Sequence, residues 1–472
     1  MNSQLPPGPR NYLGILQLTF RHYLRLRFDP IGFLKKLTRT FGDITFFRIF
    51  QHRVVLVSHP KYIHQILVSE SGNFPKMGRI TNHLRRATGD GLLVTEGKRW
   101  HQQRTSTQKI FRSKRMSLFA SIADHHIGEM LERWKSCPTL EIESEMTLLT
   151  QRIMGDGFFG IQLESEPEVA KAVRTLSDSF HDESRAILNL PDWLPTSKKR
   201  EKKRATTLLK EKLKGIIEHR ISSQDRRDDY LDMLLYPATD SNSNCPYHKH
   251  ESIDEIMCQL LTMYIAGFHT TSVAMAWLLA LVAQSPEIQD KVWAQCQSEL
   301  DDTLTLDNHK QENYAEMVVK ESLRLYPAAW ELFAREASRE TKLGPYHIPR
   351  GSKLLILPIV IHHDERFYPN PKVFDPLRFC QKTESERPAY SWIPFGLGGH
   401  QCIGQALALQ QMTQILKSVI RNFQLELPPD SIQKTKIVPK VSLRPARDFQ
   451  VSIVPRSPTI SEHKNTDAVA NC

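Results

Sequence analysis

Seven cysteines in 472 residues, with no CxxC pair and no regular spacing, are too sparse for a disulfide framework and favour a reducing compartment. No run of 18 apolar residues occurs, so the sequence offers no simple spanning helix and no transmembrane anchor is expected. The opening MNSQLPPGPR has neither an apolar core nor a small-residue cleavage site, and no secretory signal is read there. Zinc-finger spacing, RNP-type aromatics and basic patches interleaved with aromatics are missing too. A net charge of +11 at pH 7 therefore points to an acidic partner rather than to nucleic acid. The densest basic run, Lys198 to Arg204, opens a helical pattern and reads as a solvated face. Internal repeats are absent.

What is present is an ordinary globular balance, 40% hydrophobic and 24% charged. Helical periodicity dominates over 101–135, 143–160, 200–222, 253–284, 287–300, 312–325 and 403–422. Strand-like runs are short: Ile44 to Phe50, Val54 to Ser58, Lys353 to Leu357 and Gln450 to Val454. Short strands around a helical middle predict a mainly α fold with small β-sheets. Leu13 to Phe28 is apolar but broken by Arg21, His22, Arg25 and Arg27. It fits either a basic amphipathic helix lying on an anionic membrane or a packed helix with a solvated face. Pro237 to Glu251 and the tail after Pro455 look loose, and residues 456–472 are expected to be disordered.

The stretch 253–284 has no internal proline and is closed by Ser285-Pro286; as one helix it would run roughly 48 Å. It is apolar on several faces, which predicts burial through the centre of the molecule. Its middle, Ala266-Gly267-Phe268-His269-Thr270-Thr271, carries a glycine and two β-branched threonines that weaken a helix. Either a helix crossing needs a small residue there, or something flat and bulky approaches the backbone.

Residues 395–404, FGLGGHQCIG, place four glycines around Cys402. A lone cysteine is usually an inert small hydrophobe. A zinc site would need more Cys and His ligands than His400 and Cys402 supply, and no base is nominated for a nucleophile. The glycines allow positive φ and bring backbone N–H groups toward one point. The helix expected from Gln405 puts the sulfur near an N-terminus, where negative charge is favoured. A sulfur surrounded by donors and lying flat against a plane describes an axial thiolate on haem iron.

The pattern F-G-x-G-x-H-x-C-x-G resembles the haem-binding loop of the cytochrome P-450 superfamily, with His400 where arginine is usual. Other parts resemble the family's set in order. Glu321-Ser-Leu-Arg324 and Arg378, in Phe374 to Phe379, match a buried structural triad. Trp100 and Arg104 match a W-x-x-x-R that binds a haem propionate, and Arg335 matches a second propionate arginine. The resemblance covers most of the chain and implies a single haem domain over 1–455 with a long central helix.

It implies a soluble, bacterial-type haem-thiolate monooxygenase. Heme b would be held by Cys402, with Trp100, Arg104, Arg335, His400, Phe395, Ala266 and Gly267 around it. Cys402 would be the iron ligand. Thr270 would organise proton delivery to dioxygen, and His269, usually an acid in relatives, would either relay protons or make only local bonds. A hydrophobic substrate, of fatty acid, terpenoid or steroid type, is expected among Met77, Ile80, Leu84, Ile187, Leu190, Met263, Leu332 and Phe333. Arg79, Arg85 and Arg86 either meet a substrate carboxylate or face solvent. Electrons from NAD(P)H would come through a separate ferredoxin- or flavodoxin-type protein, since the chain runs on only about 70 residues past Cys402. A cytoplasmic monomer with peripheral membrane contact left open completes the expectation. An isomerase or dehydratase on the same fold, a haem sensor, and a haem-free protein with a structural cysteine are the competing readings.

Overall fold

The computed structural model describes residues 4–9, 15–111, 113–160, 196–227, 229–236, 252–301 and 313–456, with short pieces between 168 and 179. The expected tail, the loose stretch 237–251, and Ile187 and Leu190 lie outside the described residues, apart from Arg456.

Helices α1 (Ile15–Phe28) and α2 (Pro30–Phe41) precede the hairpin β1 (Ile44–Ile49) and β2 (His52–Val57). Then come α3 (Gly78–Thr88), α4 (Gly97–Gln108), α5 (Ser113–Trp134), β3 (Thr139–Glu141), α6 (Ile142–Phe159) and α7 (Ser197–Ser223). The central helix α8 (Ile253–Ala283) leads to α9 (Pro286–Asp301), α10 (Tyr314–Leu325), β4 (Arg335–Glu336) and β5 (Lys353–Ile356). The chain finishes with α11 (Gln405–Asn422), β6 (Phe423–Glu426) and β7 (Gln450–Pro455). The mainly α architecture with small sheets is the one expected.

One sheet has the order β1-β2-β5-β4, with β2 and β5 parallel and the other pairs antiparallel. Its parallel strands are joined through the whole helical body. A second sheet, β3-β7-β6, closes the far end. Phe50 is not part of β1: with φ of 51° it makes the turn into β2. The single helix expected over 101–135 is split by a tight turn at Lys109–Phe111, which buries Ile110 and brings Phe111 against Gly404.

α8 starts at a reciprocal capping box between Ser252 and Glu255. From Ser272 to Ala283 every residue is buried, so this half has no solvent face and runs through the core. Among the described residues it is the one helix long and apolar enough to cross a membrane, and most of it is inside the molecule. Trp277 stacks on Tyr326 with ring centroids 4.0 Å apart, and its indole donates to Leu443 O at 2.7 Å. α1 packs through buried His22 against Phe33 and Phe47, while Phe20, Leu24 and Phe28 stay exposed beside Arg21 and Arg27.

The triad forms. Glu321 and Arg324 are both fully buried, with Nε to Oε2 at 2.6 Å and Nη2 to Oε1 at 2.7 Å. Arg324 Nη1 also donates to His362 O and Pro371 O, and Arg378 Nε lies 3.4 Å from Glu321 Oε1. The backbone N–H of Ile393 donates to His362 Nε2 at 3.0 Å, so the ring proton sits on Nδ1 and donates to Arg324 O. His362 thereby ties α10 to the start of the cysteine loop.

Burial, and then the Arg324 charge, push His362 from 6.5 down to about 3. The unfolded chain takes up a proton that the native state refuses. This contribution is therefore complete above pH 6.5 and is lost as pH falls toward 3. On the order of 4 kcal/mol of stability should disappear across that window. His363 is driven the same way by burial and by Lys35 and Arg324. Urea unfolding as a function of pH checks this: His362→Gln should be less stable at neutral pH but lose less on acidification. An undiminished acid slope would assign the effect elsewhere.

Candidate active site: the cysteine loop and its cavity

Three short hydrogen bonds shape the cysteine loop. Gly396 N donates to Ile393 O, Gln401 N to Gly398 O, and Cys402 N to Phe395 O at 2.8 Å. Gly396 and Gly398 have φ of 74° and 75°, which a side chain would strain. At Gly398 a Cβ would also meet Leu67 O at 2.1 Å, so the loop lies directly on the chain that follows the first sheet.

Cys402 is exposed only onto a cavity of about 1010 Å³ deep in the molecule, whose lining runs from the loop to α8. Burial pushes its thiol up, while the Gly404 N–H and the Arg104 guanidinium favour the thiolate. Arg104 Nη1 donates to Gln401 O at 2.8 Å, fixing the cation beside the sulfur. The Trp100 ring sits 4.1 Å from His400, and Phe395 lies on the cavity wall.

One end of the cavity is rich in cations. Trp100, Arg104, Arg335 and His400 line it, as the sequence led one to expect, and Lys76 joins them. Lys76 is buried and donates to Leu93 O and Thr95 O; burial pushes it down to about 8 despite Glu96 at 3.8 Å. Glu96 accepts from His400 Nε2 at 3.2 Å. Burial would raise that carboxyl, but the His400 hydrogen bond and the Lys76 charge bring it to about 2. Neither Arg335 Nε nor His400 Nδ1 has a hydrogen-bond partner among the described residues, although both atoms are buried.

The cations at this end, and the orphaned Arg335 Nε–H donor, test whether haem fits. Lys76, Arg104 and Arg335 against Glu96 leave a surplus of two positive charges, which two propionates would neutralise. A carboxylate there would also satisfy the bare Arg335 Nε–H. The residues fit the group.

The opposite wall is α8. Thr270 Oγ1 donates to Ala266 O at 2.7 Å and Thr271 Oγ1 to Gly267 O at 2.8 Å, two successive back-bonds that compete with the helix ladder. Ala266, Gly267, His269 and Thr270 all line the cavity. At Gly267 a Cβ would come 2.1 Å from Met154 Cε, so the glycine serves the crossing with α6 as well as the cavity wall. Met77, Leu84, Met263, Leu332 and Phe333 line the same space. Arg85 does not: its guanidinium is held by Asp90, Asn82 and Val94 O, and neither it nor Arg86 lines the cavity. The side chains of Arg79 and Ile80 lie outside the described residues.

Lys76, Glu96 and His362 escaped sequence reasoning. Lys76 pairs in a β-bridge with Arg335, far along the chain, and Glu96 matters through His400; no local pattern announces either contact.

A single thiol backed by N–H donors, under an apolar cavity with cations for two carboxylates, defines a haem-thiolate protein. The chain belongs to the cytochrome P450 family: the family model described as Cytochrome P450 matches residues 6–453. It is 28% identical over 418 residues to a cyclooctat-9-en-7-ol 5-monooxygenase of Streptomyces melanosporofaciens, covering 86% of this chain and 88% of that one. It is 27% identical to Cytochrome P450 4V2 of Homo sapiens over 372 residues, 72% of this chain and 69% of that one. The retinoic acid-bound cyanobacterial CYP120A1 structure has the same fold, with a TM-score of 0.81 and 24% identity over 96% of this chain and all of that one. The protein is a cytochrome P450 monooxygenase.

The loop yields a paired expectation. Gly398→Ala should lower both thermal stability and haem content, the backbone strain alone costing about 1–3 kcal/mol. Gly399→Ala, whose Cβ would meet Trp100 at an ordinary 3.4 Å, should be mild. Equal effects in the two, read by melting and haem absorbance, would contradict the geometry.

Proposed function

We propose that this chain inserts one oxygen atom into a C–H bond of a hydrophobic carbocyclic or lipid-like molecule, with heme b held by Cys402, Trp100, Arg104, Lys76, Arg335 and His400. The balance is R–H, O₂, two electrons and two protons giving R–OH and H₂O. A thiolate-ligated haem supplies the activation of dioxygen. The observation that carries the reading is the cavity: its wall is apolar where Leu84, Met263, Leu332 and Phe333 face it, between the cysteine loop and α8. A relative named for a 5-monooxygenase reaction on a cyclic alkenol supports this substrate class.

The chain's own residues divide the work. Arg104, Arg335, Lys76 and His400 neutralise and orient the carboxylates at one end. The apolar wall excludes water from the substrate. Thr270 spends its hydroxyl proton on Ala266 O, so its lone pairs are free to accept from a water molecule and hold that water as the proton donor. His269 is buried on the same helix, within reach of a proton path beginning at the cavity wall. Its relay role rests on that placement.

A separate acidic electron donor, fed by NAD(P)H, fits the net charge of +11. Free thiols at Cys137, Cys258, Cys296 and Cys380 accord with a reducing, cytoplasmic setting. The exposed Phe20, Leu24 and Phe28 beside Arg21 and Arg27 support peripheral contact with an anionic bilayer. The cavity lining reaches this helix at Tyr23 and Leu26.

Two measurements test the reading. The reduced protein with carbon monoxide should show a thiolate-ligated spectrum; a histidine-type spectrum, or no pigment, would overturn it. Thr270→Ala should keep haem and substrate binding but lower product formed per electron pair, by about tenfold or more. Undiminished coupling would remove Thr270 from proton delivery, and turnover without reductant would favour an isomerase.

A further inference from the structure

On α5, away from the cavity lining, His125, His126 and Glu129 bring their ligand atoms within 4.8 Å of one another. His125 Nε2 is 3.5 Å from Glu129 Oε1, and His126 Nδ1 is 3.6 Å from Glu129 Oε2. A tetrahedral ion with bonds of 2.0–2.1 Å needs ligand atoms about 3.4 Å apart. Both separations are therefore close to a coordination edge before any ion is added.

The orientation of His126 adds a second observation. Its side chain is fully buried, and its Nε2 faces Asp156 Oδ2 of α6 at 3.3 Å. A carboxylate behind an imidazole is how proteins fix the tautomer and ring angle of a metal-binding histidine. Here it holds the ring proton on Nε2 and turns the Nδ1 lone pair toward the Glu129 carboxylate. Two electron-rich atoms then face each other across a gap that a cation bridges. Because His126 is already immobile, only His125 and Glu129 must be ordered on binding.

Arg152 Nη1 also donates to Glu129 Oε2, at 3.2 Å. It orients the carboxylate and sets a positive charge against an incoming ion, which makes the site moderate rather than tight. The donor set, two imidazoles and one carboxylate, suits zinc-class divalent metals and leaves a fourth position for water.

We propose that His125, His126 and Glu129 form a site for a divalent transition metal of the zinc class, oriented by Asp156. All three ligands come from α5 and the orienting carboxylate from α6, so a bound ion reinforces that helix pair and stabilises the folded state by mass action. The site is separate from the haem and does not depend on the reaction assigned to it.

Isothermal titration of Zn²⁺ into the haem-loaded protein tests this. One equivalent should bind with a dissociation constant on the order of micromolar, with a matching rise in melting temperature. His125→Ala, at a side chain 61% exposed, should weaken binding at least about tenfold and leave the haem spectrum unchanged. Asp156→Asn should weaken it by about 10- to 100-fold while every ligand remains. No stoichiometric binding would overturn the proposal. So would equal affinity in the parent, His125→Ala and Glu129→Gln.

Discussion

The fully buried Glu321–Arg324 pair is the constraint on which the catalytic loop depends. Arg324 cannot lose its charge, and it lies where no water can replace a missing partner, so every acceptor around it must be in place. Its guanidinium collects Glu321 on its own helix and His362 O, Pro371 O and Val373 O from the segment 362–373. His362 passes the restraint on to Ile393, and Phe395 O then receives the N–H of Cys402. The sulfur is positioned by a relay of hydrogen bonds that starts one helix away. Burial pushes the Glu321 carboxyl up, and Arg324, the Asp375 N–H and Arg378 oppose that rise.

Electrostatics and packing are kept apart within the cavity. At the cationic end burial, with the Arg335 charge behind it, brings Lys76 down to about 8, and burial lowers Arg104 and Arg335 as well. Such a cluster is costly until anions arrive, which ties the order of this region to cofactor loading. Glu96 moderates it, balancing one cation without lining the cavity itself. Arg85 stays out of the cavity, committed to Asp90 and its neighbours.

Much of this was legible in the sequence because the essential parts are local patterns. Four glycines around one cysteine, a glutamate and arginine three residues apart, and a threonine four residues after Ala266 each announce a geometry by spacing alone. The central helix was readable from its length and its apolarity on several faces. What stayed hidden depends on chain segments meeting. Lys76 is an ordinary lysine until Arg335 pairs with it across a bridge. His362 is one of two adjacent histidines until Ile393 folds over it. The break at Lys109–Phe111 was missed because helical periodicity persists through it, while the turn is imposed by Phe111 lying against Gly404.

The meeting of Gly267 with Met154 has a consequence for discrimination. At that crossing the slot is bounded by the end of an unbranched thioether rather than by backbone, and methionine shifts among rotamers at little cost. A thicker molecule can displace it without unseating a helix. Around Thr270, by contrast, a side-chain hydrogen bond holds the wall fixed. Selectivity should consequently be lopsided, with a guest oriented on the threonine side and variation in its girth taken up on the methionine side.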